Sequence, residues 1–122
     1  MPEAFTGRYS LGRSQRLIAS GDFARLKTKG RRLAHGTLLL NWAVSGEAEC
    51  RLGVVTSKKV GGAVVRNRSR RWVREAFRVH RHELAGVVDV VVVARPSIAK
   101  KDFQTVEADL LHLLKIARLL RE

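Results

Sequence analysis

Four arginines, Arg66, Arg70, Arg74 and Arg78, recur every four residues, and Asn67, Arg68, Arg71 and Arg81 stand among and beyond them. A guanidinium is a planar fork of donors, suited to bidentate phosphate contacts and to stacking on bases. At helical spacing these four form one ridge, and like charges so placed repel by a few tenths of a kcal/mol per pair. An isolated helix gains nothing from this arrangement, whereas a phosphate-rich partner relieves it. A merely solvated face normally alternates sign; here Glu75 is nearly the only acid to offset the cations. The chemistry on offer is therefore polyanion binding.

Other chemistry is poorly provided for. Glu47 and Glu49 flank a turn, and Glu107 and Asp109 lie on the last predicted helix. No carboxylates or histidines cluster with metal or acid–base spacing, so a stand-alone nuclease is a poor reading. His80 and His82 are two apart and do not share a helical face. They read as cations at a helix C-terminus, and His35 and His112 read as isolated. Cys50 is the only cysteine. It reads as a small hydrophobe beside a strand, and its solitude fits a reducing cytosol.

The arginines need a scaffold. The chain has 122 residues, 45% of them hydrophobic, which suits one compact domain. Lys plus Arg number 24 against 11 Asp plus Glu, a formal charge of +13. That balance points to a polyanion; ribosomal or other structured RNA, DNA and anionic membrane all satisfy the charge. Residues 1–16 read as a flexible basic arm with no apolar run of the secretory kind, and 17–122 as the domain. The apolar run Val87 to Ala94 is too short to span a bilayer. The expected location is the cytoplasm.

Along the domain, Ser20 or Asp22 can cap a short helix carrying Phe23 and Leu26, closed by Lys27, Lys29 and Gly30. Arg31 to Ala34 reads as a short strand, Thr37 to Val44 as a strong one, and Cys50 to Thr56 as a third, with Gly53 a candidate bulge. The short connector between the last two predicts that they pair antiparallel. Leu38, Leu40 and Trp42 share one strand face, and Thr37, Leu39 and Asn41 the other. Trp42 reads as core ahead of a base-stacking platform.

The arginine helix is predicted from Ala63 to about Arg81. At about 100° per residue, Val65, Ser69, Trp72, Val73, Ala76 and His80 form its docked face. Arg66, Asn67, Arg70, Arg71, Arg74, Arg78 and Arg81 form the outer arc. Val87 to Ala94 reads as a central strand buried on both faces, reached by a crossover that implies parallel pairing. Asp102 caps a last helix with Phe103, Val106, Leu110, Leu113, Leu114, Ala117 and Leu120 at helical spacing.

Ser57-Lys58-Lys59-Val60-Gly61, then Ala63-Val64-Val65-Arg66-Asn67-Arg68, Arg70-Arg71 and Arg74-Glu75-Ala76-Phe77-Arg78 resemble the signature of the bacterial ribonuclease P protein family. The resemblance runs from about Leu17 to the C-terminus. It implies an α/β sandwich of the α+β kind, ordered αβββαβα. Three helices pack with a small mixed sheet of about four strands, and the βαβ crossover is left-handed against the general right-handed preference.

It implies the protein subunit of a ribonucleoprotein endonuclease that removes the 5′ leader from precursor tRNA. The RNA subunit carries catalysis and holds most of the magnesium. No catalytic or metal-binding residue of the protein is expected, nor an obligate protein partner. By position, Lys58, Lys59, Arg66, Asn67, Arg68 and Arg71 would meet the RNA subunit. Phe23, Leu39, Asn41, Arg70 and Arg74 would line a cleft for the leader.

The family often has aromatics where this chain has Lys27 and Asn41. Base stacking is worth about 1–3 kcal/mol per base, so leader binding here is expected to lean on charge and to be more salt-sensitive. The rival reading is a ribosomal protein or general RNA chaperone using the same helix.

Overall fold

The run Val88 to Ala94 organises the fold, because its β-branched residues are buried on both faces and both of its edges are hydrogen-bonded. The computed structural model describes residues 30–44 and 50–121. The strands are β1 (Arg31–His35), β2 (Leu38–Val44), β3 (Arg51–Val55) and β4 (Val88–Ala94). The helices are α1 (Ala63–His80), between β3 and β4, and α2 (Phe103–Ile116), after β4. Short 3-10 turns at Arg81–Glu83 and Pro96–Lys100 flank β4. The basic arm, the Ser20–Phe23–Leu26 helix and the 45–49 connector lie outside the described residues. Two of the three expected helices are therefore on view.

The four strands lie in the order β1-β2-β4-β3. β1 with β2 and β2 with β4 run antiparallel, and β3 with β4 runs parallel. The parallel crossover through α1 is thus as expected, but the antiparallel β2–β3 pair is not formed: β4 lies between them. Two strand spacings are only about 10 Å, which a connector of a few residues spans easily at about 3.3 Å each. A short connector therefore does not prove adjacency. Nor is Gly53 a bulge; it stays in register opposite Val91.

Strand alternation sorts the sheet into two faces. Leu38, Leu40, Leu52, Val90, Val92 and Ala94 face the helices and form the main core with Val73, Ala76, Phe77, Val106, Leu110, Leu113 and Leu114. Trp42 is half-buried against that core, as expected. The second face carries three cross-strand rows, read from the register: Leu39–Val93–Val55, Asn41–Val91–Gly53 and Ala43–Asp89–Arg51.

Two buried carboxylates lock this frame. Asp89, wholly buried, accepts from Arg51 Nε at 2.9 Å and Nη2 at 2.8 Å. Asp109 on α2 accepts the backbone N–H of Thr37 at 2.9 Å and its hydroxyl at 2.7 Å. It thereby fastens α2 to the tight β1–β2 turn. Gly36 in that turn has φ +57, and a Cβ there would run into the Asp109 carboxylate. His35 and His112 are not isolated either: their rings meet at 3.9 Å, brought together by the same docking.

Candidate nucleic-acid interface

Helix α1 begins abruptly. Ser57–Gly61 makes a turn, closed by Val60 N–H to Ser57 O at 3.0 Å and Gly61 N–H to Lys58 O at 3.2 Å. Gly61 has φ +150, a conformation that side chains rarely adopt. The N-cap, Gly62, offers no side-chain acceptor, and the first turn has no acid. The positive end of the helix dipole is thus left uncompensated by side chains. Lys58 and Lys59 stand exposed on the turn beside it. Dipole and lysines add to one positive field.

The docked stripe of α1 is Ser69, Val73, Ala76 and Phe77, all buried. Ser69 hides its hydroxyl by donating to Val65 O at 2.8 Å. Phe77, absent from the predicted docked face, is nearly inaccessible and swings that face toward the arginine ridge. Arg66 and Arg70 consequently flank the contact, half-buried, while Asn67, Arg71 and Arg74 are exposed. Trp72 and Val65 close the other flank.

The arginines are held to different degrees. Arg68 donates from Nη2 to Ala99 O at 3.1 Å, and its guanidinium lies 4.8 Å from the Trp72 ring centroid. The ring contact is a cation–π arrangement within α1, and the hydrogen bond ties α1 to the Pro96–Lys100 turn. Arg70 donates from Nη1 to Thr56 Oγ1 at 2.6 Å and from Nη2 to Asn67 Oδ1. Arg78 pairs with Glu75 one turn back. That hydrogen bond, opposed by slight burial, holds the Glu75 carboxyl below its usual range. The ridge's one acid is thus spent on its last member. Arg66 Nε and Arg68 Nε are buried without a hydrogen-bond partner.

The residues assigned by resemblance to two RNAs are not separated. Asn67, placed with the RNA subunit, bonds directly to Arg70, placed with the leader. Leu39 and Asn41 do share the second sheet face, in neighbouring rows. The Leu39–Val93–Val55 row ends on β3 next to Thr56, the residue that anchors Arg70. Arg74 lies one turn beyond Arg70, and Phe23 is outside the described residues.

Two contributors went unread in the sequence. Thr56 positions Arg70, and Arg32 is the cross-strand neighbour of Asn41 and extends its row. The Gly36-Thr37 turn carried the signal, since a two-residue hairpin loop fixes the register outward from His35 and Leu38. His80, read as a helix-end cation, bridges Glu83 through Nδ1 and Glu107 through Nε2 at 2.7 Å. Burial alone would lower its pKa; the two carboxylates outweigh that and raise it.

The arrangement can bind phosphates and stack on bases. Among the described residues, no group of three or more His, Cys, Asp or Glu could hold a metal ion, and no helix is long and apolar enough to cross a membrane.

The family model described as Ribonuclease P matches residues 11–118. The chain is 36% identical to the ribonuclease P protein component of Desulfatibacillum aliphaticivorans, over 88% of this chain and 91% of that one. It is 32% identical to that of Dictyoglomus thermophilum, over 95% and 98%. Among solved structures, the Staphylococcus aureus RNase P protein superposes with a TM-score of 0.80 at 32% identity, covering 88% of this chain and 98% of that one. The Thermotoga maritima RNase P protein superposes with 0.75 at 34%, covering 83% and 96%. Sequence, length and fold agree: the chain belongs to the ribonuclease P protein family.

Proposed function

We propose that this chain is the protein subunit of a ribonuclease P ribonucleoprotein, which cleaves the 5′ leader from precursor tRNA. The observation that carries the reading is the α1 ridge: a cationic helix with an uncapped N-terminus, standing on a turn that presents Lys58 and Lys59. Lys58, Lys59, Arg66, Asn67, Arg68 and Arg71 hold phosphates of the catalytic RNA. Leu39, Asn41, Arg70 and Arg74, with Phe23, receive the single-stranded leader. The Asn67–Arg70 hydrogen bond supports one continuous surface that passes from one RNA to the other. The crossover through α1 takes the family's left hand.

Magnesium belongs to the RNA in this reading. The described carboxylates fit structural roles better than a metal: Asp89 serves Arg51, Asp109 serves Thr37, and Glu83 and Glu107 serve His80. The protein's part is to neutralise and position. Asn41 stands where relatives often stack an aromatic, so leader binding leans on charge and falls more steeply with salt than in aromatic-rich relatives.

Reconstitution with the cognate catalytic RNA at low magnesium tests the proposal. The protein is expected to stimulate precursor-tRNA cleavage and to cleave nothing alone. No stimulation defeats the reading, and cleavage by the protein alone makes it a nuclease in its own right.

A further inference from the structure

A second basic site lies at the opposite edge of the sheet from β3 and α1. There the end of α2 and the edge strand β1 enclose a groove of about 590 Å³, lined by Arg31, Arg32, Leu33, Trp42, Ile116 and Arg118 among others. Arg31 pairs across the strands with Trp42, so both project to the same face. The three arginines are exposed and make no ion pair among the described residues. Ile116, at the rim, is an exposed large hydrophobe.

Arg118 supplies an independent observation. It follows α2 in the left-handed conformation, φ 61, where helices ordinarily end on glycine. The turn is otherwise regular: Ala117 N–H reaches Leu113 O and Leu119 N–H reaches Leu114 O, each at 2.9 Å. Glycine would serve this backbone at less cost, yet the chain puts a guanidinium there, aimed into the groove. Strain of this kind concentrates where a side chain has a task.

We propose that this groove is a second RNA site, taking one unpaired nucleotide. Its base lies against the Trp42 ring, and its phosphates meet Arg31 and Arg118. The charge selects a polyanion and the indole selects a base over other anions. Its base and phosphate contacts differ from the leader face, because Trp42 and Arg31 lie on the opposite side of the sheet from Asn41; Arg32, in Asn41's row, stands at the edge between the two. Trp42 therefore does not replace the aromatic absent at Asn41. It serves another stretch of RNA, from either the catalytic subunit or the substrate.

The test uses the full chain carrying Trp72→Phe, so that Trp42 alone reports by fluorescence. A short single-stranded oligoribonucleotide is titrated at low salt, beside inorganic polyphosphate and polyglutamate. We expect saturable quenching by the oligoribonucleotide only. Arg31→Gln and Arg118→Gly should each weaken it roughly tenfold, with the Arg118→Gly protein melting no lower than its parent. Titrating catalytic RNA and precursor tRNA separately identifies the source, and quenching by either supports the site. No quenching by any RNA overturns the proposal, as does equal quenching by the base-free polyanions or full affinity in the Arg31→Gln/Arg118→Gly double variant. A chain that stimulates cleavage without quenching loses this site and keeps its proposed function.

Discussion

Arg68 lies 4.8 Å from the centroid of the Trp72 ring while donating to Ala99 O at 3.1 Å. A residue marked by its motif as an RNA contact is therefore also a strut between α1 and the turn after β4. The hydrogen bond from a charged donor is worth about 1.5–3 kcal/mol, and the ring contact about 0.5–1 kcal/mol. Arg68→Ala is expected to lower stability by about 1–3 kcal/mol in denaturant melts, and RNA affinity with it. Arg66→Ala should cost the fold less than about 1 kcal/mol, because no hydrogen bond of Arg66 holds another element. Equal stability losses in the two variants would deny Arg68 its structural share.

Asp89 offers a stability test clear of the α1 ridge, one row along the sheet from Asn41. It is fully buried in β4 and forked by Arg51. Asp89→Ala leaves a largely buried guanidinium short of its counter-ion, which typically costs about 3–5 kcal/mol. Equilibrium unfolding should show a loss of that size. A loss under about 1 kcal/mol would mean that Arg51 finds other relief.

His80 predicts a pH dependence. Its folded pKa is raised by Glu83 and Glu107 over the opposing effect of burial. A raised folded pKa means that its stabilising contribution is fully present below the unfolded value of about 6.5. The contribution is lost as pH rises through the folded pKa. The melting temperature should therefore fall from mildly acidic to mildly alkaline pH. In His80→Gln that part of the slope should vanish; an unchanged slope would place the titration elsewhere.

Much of this frame was legible. The unbroken β-branched run announced a doubly buried β4, and the helical spacing of Val106, Leu110 and Leu113 announced α2, with Asp102 accepting Thr105 N–H at 2.8 Å as its cap. Ridge spacing announced the cationic face of α1. What stayed hidden depends on tertiary placement. Phe77 sits at the border of the helical wheel and is buried only because α2 and the sheet meet α1 there. Asp89 and Asp109 look like ordinary polar interruptions until Arg51 and Thr37 are brought to them. The place of β4 between β2 and β3 follows from its need for partners on both edges, which connector length does not encode.

The α1 ridge is above all a phosphate-binding surface in this proposal, and the salt dependence of binding to the cognate catalytic RNA probes it directly. Each arginine contact to phosphate contributes a slope of about −0.7 to −0.9 in log affinity against log salt. Arg66→Ala combined with Arg71→Ala should flatten the slope by roughly two contacts' worth, about 1.4–1.8, with secondary structure and melting near those of the parent. A slope equal to the parent's in that double variant would contradict the account.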